Sequence, residues 1–228
     1  MSSVTQKSAS VSGPAPKRSF FDWRVWTVAS VLLAAVLLSI FFGLKQHAQQ
    51  GFFGTRLFPL KTAYDFKLNG LNSAQVRLDQ FRGKTVLFLF GFTHCANVCP
   101  TSLTNLADVY QALTPEERKQ VQVIFVSVDP DRDNPQTLAQ YVTAFDPSFV
   151  GLTAPKPVMD QTVLAYGANY EMVAGPTSEP NDYSVNHSAY TYLVNPSGQL
   201  ELLYGNEKLA EVPKMVSDIR AVLHEPRS

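Results

Sequence analysis

Cys95 and Cys99 are the only two cysteines in the chain, and both lie in GFTHCANVCPTSL, residues 91–103. A C-x-x-x-C pair followed at once by Pro100 admits three chemistries: a structural bridge, a redox couple, or two thiolates on one metal ion. If a helix begins near the pair, residues four apart share one face, with Cβ atoms ~5–6 Å apart. That separation suits shared ligation, and also a disulfide, whose Cα atoms stand ~4.4–6.8 Å apart. N–H groups at a helix N-terminus favour the thiolate, the form that attacks disulfides and binds metals. An inert bridge is the weakest of the three readings, because closing so short a loop removes little chain entropy.

A metal site needs a third group, and the chain has four histidines. His47 falls in a polar linker and His224 in the C-terminal tail, so both read as solvated. His94 adjoins Cys95, and neighbouring side chains of an extended segment point to opposite faces. It reads as a packing or supporting residue. His187, in SVNHSAYTYLV, ends a polar stretch just before an apolar one. Imidazole is a common metal ligand where other ligands gather, and a lone histidine is more often structural. From its own surroundings in the sequence, His187 fits either role.

A strand must deliver the first cysteine and a helix must hold the second. KTVLFLF (84–90) is a continuous apolar run, as in a strand buried on both faces. After Pro100, a residue tolerated in a first helical turn, Leu103, Leu106, Val109, Tyr110 and Leu113 recur at three- and four-residue steps. VQVIFVSVDP (121–130) reads as a second buried strand ending at Asp129-Pro130. Before the site, DFKLNG and QVRLDQF flank the turn-like LNSA and read as a hairpin or two short strands. Beyond it come a helix over 135–145, a short strand at 149–154, and a helix over 158–170. Residues 171–187, rich in Gly, Pro, Ser and Asn, read as a long functional or flexible loop. SAYTYLV and QLELLYG form a hairpin across NPSG, and a last helix covers 211–223. This order is that of an α/β, thioredoxin-like domain, a mixed sheet with flanking helices. There is no internal repeat.

Ahead of this domain, VWTVASVLLAAVLLSIFFGL runs between Arg24 and Lys45, twenty residues without a charge. At ~1.5 Å per residue it reaches ~30 Å, the thickness of a bilayer core. Trp23 and Trp26 stand where interfacial aromatics belong. A signal peptide has a shorter apolar stretch of ~7–15 residues and an A-x-A-like site, which Gln46 and Ala48 do not make. Lys7, Lys17, Arg18 and Arg24 precede the run, and Lys45, Arg56 and Lys61 follow at wider spacing. That bias places the N-terminus in the cytoplasm. The expected organisation is a disordered cytoplasmic tail (1–24), a transmembrane helix (25–44), a tether (45–61) and an exported domain (62–228). The tail lacks the Arg-rich amphipathic pattern of a transit peptide. A bacterial inner membrane with the domain in the periplasm is therefore expected ahead of a mitochondrial one. Lys plus Arg equals Asp plus Glu at 19 each, so no bulk charge points to nucleic acid. Hydrophobic residues, 45% of the chain, supply the core that two cysteines cannot staple.

The combination F-x-F-x-H-C-x-x-V-C-P-T, SVDPDRD at the next strand end, and DYSVNHSAYTYLVNPSGQL resembles the Sco/SenC family. These are membrane-anchored, thioredoxin-like copper proteins of cytochrome c oxidase assembly. The resemblance covers about residues 62–223. Peroxiredoxins share the fold and a similar strand end but lack the C-x-x-x-C with its late histidine. The resemblance implies Cys95, Cys99 and His187 as copper ligands, a set suited to Cu(I) and able to hold Cu(II). It implies a metallochaperone whose partner is the copper-bearing subunit of cytochrome c oxidase, with another periplasmic copper carrier as a second partner. The rival classes are a thiol–disulfide reductase using Cys95 and Cys99 alone, and a copper or redox sensor signalling through 171–187. One departure stands out: many members carry Asp before the late histidine, and this chain has Asn186. A carboxylate there would orient the ring from outside the metal. Asp129 and Asp131 match the family's acidic segment and read either as solvated turn residues or as a docking element.

Overall fold

The computed structural model describes residues 22–48, 51–177, 179 and 181–225; within the first helix, side chains are described for 26–39. The chain forms two compact units, Met1–Gly51 and Phe52–Ser228.

In the first unit, helix α1 runs Asp22–Ala48 over 27 residues. Trp26, Val28, Leu33, Val36 and Leu37 are all more than half exposed, so apolar groups face outward on every side. Ser30 and Ser39 return their hydroxyls to the carbonyls of Trp26 and Ala35, which meets their hydrogen-bonding need inside the helix. No helix among the described residues is long and apolar enough to cross a membrane. The run read as a span, 25–44, passes beyond the described side chains at both ends. The helix also extends past both sequence boundaries, taking in Asp22 to Arg24 and Lys45 to Ala48, so the backbone of His47 is helical and not linker. Residues 1–21 of the expected tail lie outside the described residues.

The second unit is built on a six-stranded sheet. Its strands are β1 (Thr55–Thr62), β4 (Thr85–Gly91), β5 (Val121–Ser127), β6 (Val150–Leu152), β9 (Tyr190–Val194) and β10 (Gln199–Gly205). Their spatial order is β1-β10-β9-β4-β5-β6. β4, β5 and β6 are parallel, while β9, β10 and β1 join antiparallel. All seven residues of central β4 are buried, as the unbroken apolar run requires when both faces are covered. Period-two alternation splits them. Leu87 and Leu89 face a cluster with α2 (Val98–Gln111), α4 (Pro135–Thr143) and α6 (Val212–His224). Val86, Phe88 and Phe90 face a second cluster with α5 (Lys156–Ala165). There Phe88 stacks on Tyr192 at 4.9 Å and meets Tyr166 edge-on at 4.8 Å. A short helix α3 (Pro115–Lys119), missed in the sequence, is held by a Thr114–Glu117 capping box. Two small sheets complete the unit: β2 (Lys67–Asn69) with β3 (Gln75–Arg77), and β7 (Tyr170–Ala174) with β8 (Tyr183–His187).

Two sequence readings are corrected. Residues 55–61, read as the end of a tether, form most of β1 and pair with β10. The strand escaped notice because it is an exposed edge without apolar alternation, with Phe58 95% exposed. Residues 171–187, read as one long loop, are a hairpin with register Tyr170↔His187, Met172↔Val185 and Ala174↔Tyr183. Beyond the paired strands, the Gly175 N–H donates to the Asp182 carbonyl at 2.7 Å. Val185 anchors the hairpin in the second cluster at 4% exposure.

Candidate metal centre

α2 begins at Val98, so Cys99 lies in its first turn, while Cys95 lies on the loop before it. The two sulfurs are neighbours even so. The Cys99 N–H, one of the helix's unpaired N-terminal donors, points at Cys95 Sγ at 3.4 Å. Cys99 is fully buried and Cys95 half-buried, and neither is bridged. Gly91 lets Cys99 in. A Cβ at 91 would stand 2.7 Å from Cys99 Sγ and 2.6 Å from the Phe125 ring.

The environments push the two thiols apart. Burial works against charge on Cys95, but N–H groups of Cys99, Asn97 and Val98 outweigh it and hold its pKa below the ordinary value. Burial raises that of Cys99 strongly, and the nearby charges of Cys95 and Asp133 add to the rise.

His187 arrives at the end of β8. Its Nε2 lies 3.4 Å from Cys99 Sγ, and its Nδ1 lies 3.2 Å from the Ser188 carbonyl. Donation from Nδ1 to that carbonyl leaves the Nε2 lone pair facing the sulfurs, the usual way a ligand's tautomer is set. Burial lowers the His187 pKa, only partly offset by the Ser188 carbonyl, so the ring is neutral and free to ligate at neutral pH. Phe92 packs edge-on against it at 5.9 Å between centroids. The ligand atoms of Cys95, Cys99 and His187 all lie within 4.8 Å of one another. Two thiolates and an imidazole at that spacing fit one soft or borderline metal ion.

His94 and His224 stand apart from this group, and the side chain of His47 lies outside those described. His94 is exposed, its Nδ1 3.1 Å from Thr93 Oγ1 and 3.8 Å from Asp133. His224 is exposed at the end of α6. Asn186 is exposed and sits opposite Glu171, so the acceptor that orients the ring is the Ser188 carbonyl.

The acidic segment is corrected most. Asp131 is exposed, but Asp129 is neither solvated nor available for docking. It is fully buried, accepting from Arg132 Nε at 2.6 Å and from the Tyr183 hydroxyl at 2.7 Å. Asp133, unremarked in the sequence, is also fully buried and accepts from the Thr93 N–H at 2.8 Å, the Thr93 hydroxyl, and Ser127 Oγ at 2.6 Å. The available signal was position: four charged residues, Asp129, Asp131, Arg132 and Asp133, follow a largely apolar parallel strand, at the carboxyl end where α/β sites gather.

The SCO1/SenC family pattern matches residues 55–224. The human mitochondrial protein SCO2 homolog is 42% identical over 132 residues, 58% of this chain and 49% of that protein. A SCO2-like protein of Rickettsia conorii is 32% identical over 140 residues, 61% of this chain and 67% of that one. The chain spans about half the length of the mammalian relatives it matches. Among solved structures, apo Sco1 from Thermus thermophilus has a TM-score of 0.70 at 41% identity, covering 77% of this chain and 99% of that one. Bradyrhizobium japonicum ScoI, solved with copper bound, gives 0.62 at 31% identity over 71% of this chain and 99% of that one. With its sheet, its strand–loop–helix cysteines and its late histidine all inside the matched segment, the chain belongs to the SCO1/SenC family.

Proposed function

We propose that this chain binds copper through Cys95, Cys99 and His187 and delivers it to the copper-bearing subunit of a cytochrome c oxidase during assembly. The convergence of three ligand atoms within 4.8 Å carries the reading. Copper-bound relatives from Arabidopsis thaliana and Bradyrhizobium japonicum support the choice of metal. Copper is cargo here. On binding, the two thiols release their protons and the neutral imidazole donates through Nε2. For release, half-buried Cys95 is the ligand an incoming thiolate reaches first, with Cys99 and His187 letting go afterwards. The proposed setting is a membrane-anchored chain, its N-terminus cytoplasmic and its domain in the periplasm of a bacterial inner membrane. The apolar run and the Lys/Arg bias support it.

The test is copper uptake by the full chain. Reduced protein takes up about one Cu(I), the capacity of a single two-thiolate cluster. Disulfide-bonded protein takes up none there, since one pair of sulfurs cannot both bridge and ligate. Equal uptake by both forms sinks the proposal.

The split between the thiols supports a second reading, reduction of a target disulfide. The Cys95 thiolate attacks one target sulfur and releases the other as a thiolate. Cys99 then attacks Cys95, freeing the target dithiol and leaving a Cys95–Cys99 disulfide, a two-electron exchange. A copper or redox sensor would have to signal through the β7–β8 hairpin that carries His187.

A further inference from the structure

The three ligand atoms come from two pieces of chain with no strand pairing between them. Cys95 and Cys99 belong to the β4–α2 connection, and His187 to a hairpin outside the six-stranded sheet. One turn, Asp129–Asp133, closed by the Asp133 N–H on the Asp129 carbonyl at 2.9 Å, grips both pieces. Asp133 holds the cysteine side through Thr93. Arg132 holds the hairpin: its Nη1 donates to the carbonyls of Tyr183 at 2.9 Å and Asn181 at 3.3 Å. Its guanidinium lies 3.6 Å from the centre of the Tyr183 ring. Asp129 locks the contact, taking Arg132 Nε and the Tyr183 hydroxyl on its two oxygens.

We propose that Arg132 is a positioning residue for the metal ligand His187. It acts by two routes. Along β8, it fixes the strand at Tyr183, four residues before His187, while Ser188 N–H on the Asn169 carbonyl at 3.0 Å fixes the other end. A strand held at both ends has one tilt. Across the core, the guanidinium stands 5.7 Å from the Phe92 ring, and Phe92 is the wall against which the imidazole packs. Arg132 is only 9% exposed, so water cannot replace these contacts. Lysine could still pair with Asp129, but it lacks the planar guanidinium that holds Asp129 through Nε and the two carbonyls through Nη1 while lying over the Tyr183 ring. The consequence concerns oxidation state. Cu(I) is held by two thiolates, whereas Cu(II) favours nitrogen and needs the ring in place.

This inference rests on the copper reading for its metal readout and is independent of it for its metal-free one. The full chain is compared with R132K, Y183F and H187A. Each is titrated with Cu(I) and Cu(II), its sulfur-to-Cu(II) charge-transfer absorption recorded, and its metal-free Phe92–His187 ring contact followed by NMR. R132K and Y183F are expected to lose roughly 10–100-fold in Cu(II) affinity, as supporting residues do, with a weakened charge-transfer band and Cu(I) affinity kept. The metal-free ring contact weakens in both. Wild-type Cu(II) affinity and ring contact in both variants overturn the proposal, as does an equal loss of Cu(I) and Cu(II) binding that tracks thermal stability. If the wild type binds no copper, the copper reading fails, and the ring contact alone decides the role of Arg132.

Discussion

His187 Nε2 and Cys99 Sγ stand 3.4 Å apart across 88 residues of sequence. The fold spends a helix N-terminus on one and a strand end on the other to bring a nitrogen donor against a sulfur. Much of what distinguishes copper handling from plain thiol chemistry depends on this meeting.

Replacing the histidine therefore separates the two proposed functions. In His187→Ala, Cu(I) binding by the thiolates persists, while Cu(II) affinity falls beyond the roughly 10–100-fold typical of losing a supporting residue. Reduction of a disulfide in a peptide copied from the oxidase copper loop continues, since that chemistry needs only the cysteines. Cells carrying the variant should fail to assemble the oxidase. Normal assembly would hand the essential role to thiol exchange.

The two thiols should react unequally. Cys95, half-buried with its pKa held down, alkylates first, and its rate levels off at a pH below that of an ordinary thiol at ~8.5. Cys99, buried with its pKa raised, lags at every pH where the fold is intact. Mass mapping of iodoacetamide adducts on reduced, metal-free protein measures both. Faster labelling at Cys99 would reverse the assignment of attacking and resolving sulfur.

Asn186→Asp restores the carboxylate that many members carry, yet little copper affinity should follow. The ring already rests on the Ser188 carbonyl, so the change in Cu(II) affinity should stay under the roughly tenfold lower bound for supporting groups. The new carboxylate would face Glu171 across the hairpin, and like charges directly opposite cost about 0.2–1 kcal/mol. A small drop in thermal midpoint with an unchanged copper titration is the expected pair of results. A large rise in Cu(II) affinity would show that residue 186 orients the ring after all.

Acid should weaken the metal-free protein through His187. Its folded pKa lies below the ordinary value, so the unfolded chain takes up a proton first as pH falls past ~6.5. Stability from the neutral ring is then complete above ~6.5 and lost as pH drops through the folded value. Denaturant midpoints from pH 7.5 to 5, compared between wild type and His187→Gln, isolate the contribution. Identical slopes in the two proteins would remove His187 as its source.

The core was legible because its periodicities are strong. The seven-residue apolar run of β4 and the Leu103, Leu106, Val109 stripe of α2 could be little else, and both are fully buried. β1 was not legible, since an edge strand exposed on both sides carries no alternation. The β7–β8 hairpin was hidden by its tip, whose Gly, Pro and Asn outweigh the five-residue strands on either side. In the site, spacing exposed the cysteines at once. His187 could be singled out only by resemblance, because nothing in SVNHSAYTYLV fixes its distance to Cys99. Asp129, Arg132 and Asp133 look like surface charges when read singly. Their burial follows from partners on three other segments, Thr93, Ser127 and Tyr183, which no local pattern reveals.

Gly91 offers a steric ruler for the centre. One methyl group there would press on the Cys99 sulfur and the Phe125 ring together, while every ligand kept its chemical identity. A Gly91→Ala change would force the sulfur or the ring to shift and leave the proposed donor set intact. Coordination geometry would thus become a quantity that can be changed separately from the identity of the atoms that coordinate.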